Sequence, residues 1–82
     1  MKVATVQGVR IEFYPNDRPP PHFHAVTAEH RAVIDILTAS VDRGELPRGK
    51  RRVILAWAQT HRSVLLDSWY AMRARRKPLK IT

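Results

Sequence analysis

The chain has 82 residues with 44% hydrophobic and 27% charged side chains. That is room for one small domain with one core, and too apolar for a disordered chain. It has no cysteine, which excludes disulfides, thiolate metal sites and cysteine nucleophiles. The net charge of +8 attracts phosphate backbones or acidic proteins. No apolar run approaches the length of a membrane span, and the first residues lack the apolar stretch of a signal peptide. A cytoplasmic protein with no membrane partner is expected.

In chain order, residues 2–6 and 9–14 read as two strands around Gln7-Gly8. In the second, Val9, Ile11 and Phe13 alternate with Arg10, Glu12 and Tyr14, the period of a half-buried strand. Residues 15–21 hold four prolines, which lack the N–H donor and fix φ, so this stretch is a stiff loop. Residues 22–27 and 31–37 form a second strand pair, and a loop with Gly44 and Pro47 closes this β half. Pro47 suits the start of a helix, and no breaker follows from Lys50 to Pro78. At helical spacing Ile54, Trp57, His61, Val64, Leu65, Ser68 and Met72 share one face, with Trp69 at its margin.

The spacing predicts one helix over 50–72, roughly 40 Å long if 25 residues take part. That exceeds a short-stranded sheet, so its end projects, it bends near Thr60, or a second subunit covers it; a homodimer is the guess. The expected fold is α+β, an antiparallel four-stranded sheet with one long C-terminal helix on one face. The expected divisions are a β half over 1–46, a basic helix over 47–77 and a tail over 78–82.

The charge is uneven. Residues 1–42 hold four basic and five acidic side chains, whereas 43–82 hold eleven basic ones against Glu45 and Asp67. Arg51, Arg62 and Arg73 recur every eleven residues and would line one edge of a straight helix, flanked by Arg48 and Arg52. With Arg76 they are the candidate contacts for nucleic acid or an acidic partner.

His22 and His24 stand two apart on a predicted strand, on the same side, near enough to share a metal or a phosphate. A zinc site needs a third or fourth ligand, for which Asp17, His30 and His61 are the candidates. His61 lies on the apolar helical arc, as a buried neutral ring or as a base or ligand delivered to the sheet. Burying two histidines while exposing Phe23 is costly, so Phe23 is expected inside. His22 and His24 then face away from the helix, and could meet it only at a sheet end where the proline loop curls over. No bound metal and no cofactor is expected. Catalysis, if present, would use His22 and His24 as an acid/base pair in a small ribonuclease-like enzyme, with His61 a further candidate.

Phe13-Tyr14-x-x-Asp17, Pro20-Pro21-His22-Phe23-His24-Ala25, Ala32-Val33-Ile34-Asp35-Ile36, Gly44-Glu45-Leu46-Pro47 and Trp57-Ala58-x-x-His61-Arg62-x-x-Leu65-Leu66-x-x-Trp69 together resemble a small bacterial family catalogued as domain of unknown function 4160. The resemblance runs from about Gly8 to Leu79. It implies short strands followed by helix, and a second small protein as partner in a toxin–antitoxin-like pair. It implies no catalytic residues, although His22, His24 and His61 fall on its signature positions and His30 does not. The resemblance implies a glutamate-rich helix; the basic helix here departs from it. The resulting expectation is an interaction module, one half of such a pair, whose basic helix engages an antitoxin-like acidic partner or nucleic acid.

Overall fold

A computed structural model describes residues 1–78, 80 and 81. Leu79 and Thr82, which the expected tail and the far end of the resemblance include, lie outside the described residues. Five strands, β1 (Lys2–Val6), β2 (Val9–Glu12), β3 (His22–Val26), β4 (Arg31–Asp35) and β5 (Ser40–Gly44), precede two helices, α1 (Arg48–Thr60) and α2 (Arg62–Arg73). The strands follow one another across the sheet in chain order, each antiparallel to its neighbour. The α+β class therefore holds, but with five strands rather than four and two helices rather than one.

The additional strand is β5. Its residues Ser-Val-Asp-Arg-Gly carry no apolar alternation, and only Val41 is even half-buried. An edge strand needs only one ladder of backbone hydrogen bonds, so a polar sequence can form it. Gly44 makes the exit possible: its φ is +75°, and a Cβ there would lie 2.2 Å from the Arg31 carbonyl oxygen. The first hairpin turns through Gln7 and Gly8, both at positive φ, a two-residue geometry that matches strand twist.

The helical stretch is interrupted at His61, whose φ of −111° and ψ of 17° leave the helical region. The Trp57 carbonyl receives the His61 backbone N–H at 3.0 Å, the Thr60 hydroxyl at 3.0 Å and His61 Nδ1 at 2.8 Å. Side chains competing for a helical carbonyl bend a helix. Of the three outcomes open to a single long helix, the bend near Thr60 is the one found. The molecule is 34 Å in its longest dimension, shorter than a straight helix of the expected length would be. The helices end at Arg73, not Lys77.

One face of the sheet and the inner sides of both helices make the core. Ile11, Phe23, Ala25, Ile34, Ile54, Ala58 and Leu65 are fully buried in it. Phe23 faces inward as expected. Trp57 and His61 are only half-buried, stacked on each other at 4.7 Å, while Trp69 is buried rather than marginal. In both helices the inward face is centred nearer Ala58, Leu65 and Trp69 than the apolar pattern places it, which leaves Trp57 and His61 at its margin. Beyond α2, Ile81 is buried and its N–H bonds to the Val3 carbonyl at 2.7 Å, docking the end of the chain beside β1.

Candidate functional site

The loop between β2 and β3 carries Asp17 back over the start of β3. There Asp17 Oδ2 lies 2.8 Å from His24 Nε2 and 3.2 Å from His22 Nε2. His22 Nδ1 donates to the Pro20 carbonyl at 2.8 Å. The proline loop thus places one carboxylate and one carbonyl on a histidine pair whose spacing was set by the strand. Ligand atoms of Asp17, His22 and His24 all lie within 4.8 Å of one another.

Aromatic rings hold the pair from both sides. Tyr14 packs on His24 at 4.2 Å between centroids, and Trp69 of α2 packs on His22 at 5.0 Å. His22 is consequently buried, 7% exposed, rather than presented to solvent from an outer sheet face. The helix reaches the histidines at the end of the sheet, as a proline loop curling over it requires. Arg73 completes the corner: its guanidinium lies 5.7 Å from the Trp69 ring, and Nη1 donates to the Asp17 backbone carbonyl at 3.0 Å. In register, His24 stands opposite Glu12, and His22 opposite Asp35. Glu12 accepts from the Tyr14 hydroxyl at 2.7 Å and from Arg10 at 3.1 Å. The Tyr14 bond, more than Arg10, holds the Glu12 carboxyl below its ordinary value against the opposing effect of burial. The same bond pushes the Tyr14 hydroxyl up.

Two cavities adjoin Asp17. One, about 190 Å³, is lined by His22, Asp35, Asp42 and Arg43 among others. The other, about 620 Å³, lies between the 15–18 loop and the end of α2 and presents Arg18, Arg73, Arg75, Arg76 and Lys77.

His61, Arg62 and His30 stand apart from this corner. His61 is engaged with Trp57 and Thr60. Arg62 donates from Nε to the Ile36 carbonyl at 3.1 Å and is half-buried. Arg51 lies in α1, and Arg62 and Arg73 in α2; the bend between the helices breaks the straight edge on which the three would have lined up. Arg48, Arg51 and Arg52 are exposed in the first turns of α1, outside the basic groove, while Arg76 lines it. Arg75 and Lys77 belong to a basic run, residues 73–77, that is visible in the sequence, whereas Arg18 as a contact and Tyr14 and Trp69 as supports leave no pattern there. The signal for Asp17 was its place five residues before His22 in a loop too stiff to wander.

The sequence profile of the family described as Domain of unknown function (DUF4160) matches residues 8–70. The chain belongs to this family. No curated protein and no solved structure matches it. The DUF4160 match takes in Tyr14, Asp17, His22, His24 and Trp69 and stops before Arg73. The histidine corner therefore lies within the family segment, whereas the basic rim from Arg73 to Lys77 follows it. No helix among the described residues is long and apolar enough to cross a membrane.

Proposed function

We propose that this DUF4160 chain binds single-stranded nucleic acid along the basic groove at the end of α2, as one half of a toxin–antitoxin-like pair. The observation that carries the reading is the convergence of Arg18, Arg73, Arg75, Arg76 and Lys77 on one groove. Among the described residues, the ion pairs of Asp and Glu are with Arg10, Arg43 and the two histidines. Among the described residues no ion pair joins a groove cation to a carboxylate, and Asp17 is the one acidic residue in the groove lining, against five basic ones. Tyr70, 58% exposed, borders a neighbouring cavity together with Arg76 and Lys77. An exposed aromatic ring beside a basic track is what a strand of unpaired bases needs, the phosphates on the cations and a base on the ring. The pair reading rests on the family resemblance, and an acidic partner protein would act by covering the same groove.

The alternative reading, a ribonuclease with His22 and His24 as acid and base, has their proximity in its favour. Their geometry argues against it. In-line cleavage places the acid and the base on opposite sides of a phosphorus atom, whereas both Nε2 atoms here converge on one Asp17 oxygen.

The test is fluorescence anisotropy with a short single-stranded RNA and its DNA counterpart at several salt concentrations. Changing Arg75, Arg76 and Lys77 together to glutamine is expected to flatten the log–log salt slope by about two units. Tyr70→Ala is expected to weaken binding by roughly tenfold with the slope kept. Absence of binding at low salt overturns the reading and leaves an acidic protein as the ligand of the groove.

A further inference from the structure

We propose that Asp17, His22 and His24 form a binding site for a first-row divalent transition-metal ion. Its three protein ligands are a carboxylate oxygen of Asp17, Nε2 of His22 and Nε2 of His24. The site departs from the expectation of no metal, and of the three candidate third ligands it takes Asp17 rather than His30 or His61.

The Pro20 carbonyl can only accept, so His22 Nδ1 carries a proton. Nε2 is thereby the ring atom turned toward the carboxylate, and it faces Asp17 Oδ2 at 3.2 Å. A cation, either a proton or a metal ion, belongs between an imidazole nitrogen and a carboxylate oxygen at that distance. Asp17 Oδ2 is also the partner of His24 Nε2 at 2.8 Å, so one oxygen gathers both rings. A divalent ion that takes Nε2, Nε2 and the carboxylate together satisfies all three at once.

The distances suit such an ion. Ligands on neighbouring positions of a tetrahedral or octahedral ion with bonds of about 2.0–2.1 Å lie roughly 2.8–3.4 Å apart. The two separations to Asp17 Oδ2, 2.8 and 3.2 Å, fall in that range, and all three ligand atoms lie within 4.8 Å of one another. The bond from His22 Nδ1 to a backbone carbonyl is the outer-shell contact that metal-bound histidines make, aiming Nε2 at the ion. Tyr14 and Trp69 prevent either ring from turning away. Two imidazoles and a carboxylate, with no thiolate, suit zinc, iron, cobalt or manganese. Three protein ligands leave positions open, as in catalytic rather than structural sites. The cavity of about 190 Å³ at Asp17 and His22, with Asp35 and Asp42 on its wall, has space for water or a small ligand there.

The experiment uses the full untagged chain, freed of metal by chelator and titrated with zinc alone, without nucleic acid, so its outcome is independent of groove binding. Calorimetry is expected to show one zinc per chain. At hundredfold excess over the dissociation constant, the thermal midpoint is expected to rise by roughly 10–20 °C. Asp17→Asn and His24→Gln are expected to lower affinity at least about tenfold, with His30→Gln and His61→Gln unchanged. Because a substitution in this corner can also disturb folding, nitrogen-15 spectra of the unmodified chain provide the second readout. Zinc is expected to shift Nε2 of His22 and His24 and to leave His30 and His61 in place. Absence of stoichiometric binding, equal binding by His24→Gln, or a shift at His30 or His61 in place of the pair overturns the proposal.

Discussion

Arg73 donates to the Asp17 backbone carbonyl at 3.0 Å across 56 residues of sequence. This contact joins the last turn of α2 to the loop that carries the carboxylate, and so connects the basic groove to the histidine corner. A charged donor on a neutral carbonyl at an exposed site, with a guanidinium on an indole ring, stabilises by about 1 kcal/mol. Arg73→Gln is therefore expected to lower the thermal midpoint by about 4–8 °C. Arg73→Lys should recover only part of this, because an ammonium lacks the planar stack on Trp69.

Gly44 and Gly49 are expected to respond in opposite directions. At Gly44 a side chain meets the Arg31 carbonyl with φ at +75°, and Gly44→Ala should cost at least about 2 kcal/mol by chemical denaturation. At Gly49, within α1, a Cβ meets nothing within 4 Å. Gly49→Ala should stabilise by about 0.5 kcal/mol, by helix propensity and a less flexible unfolded chain.

The first turn of α1 has no acidic residue and carries Arg48, Lys50 and Arg51, where the helix dipole disfavours cations. Arg48→Glu is expected to stabilise the fold by about 0.5–1 kcal/mol at low ionic strength. The gain should shrink in high salt, which a denaturation series with and without salt measures.

The Tyr14–Glu12 bond predicts a stability plateau with two arms. Glu12 titrates below its ordinary 4.5 in the fold, so its contribution is present above about 4.5 and is lost as pH falls through the lowered value. Tyr14 titrates above its ordinary 10.0, so its contribution is present below about 10 and is lost as pH rises through the raised value. Tyr14→Phe removes the bond, and should cost about 0.5–1.5 kcal/mol between the arms and flatten the acid one. Denaturant midpoints taken from pH 3 to pH 11 are the measurement.

Trp69 shields His22, which is 7% exposed. Under limiting diethyl pyrocarbonate, His30 should acylate ahead of His22 in the unmodified chain. Trp69→Ala should raise the His22 rate several-fold and leave His30 unchanged, as read by peptide mass spectrometry. An unchanged His22 rate would show that the indole is not its cover.

Periodicity by itself determined the α+β class, the first four strands, the inward face of Phe23 and the buried positions Ile54, Leu65 and Met72. These follow from local spacing, since alternation at two residues or recurrence near 3.6 decides which face meets a core. Edge strand β5 left no such trace, because its ladder is made by backbone atoms and its side chains are mostly exposed. The bend at His61 depends on which donors reach one carbonyl, a competition that an apolar pattern does not encode. The pairing of His22 with His24 was visible as a strand spacing. That Asp17 closes on them, that Trp69 covers one ring and that Arg73 ties the loop in place were decided by tertiary structure. Each of those contacts joins segments whose separation in space is set by the path of the proline loop and the angle of α2, and neither is a property of any short stretch of residues.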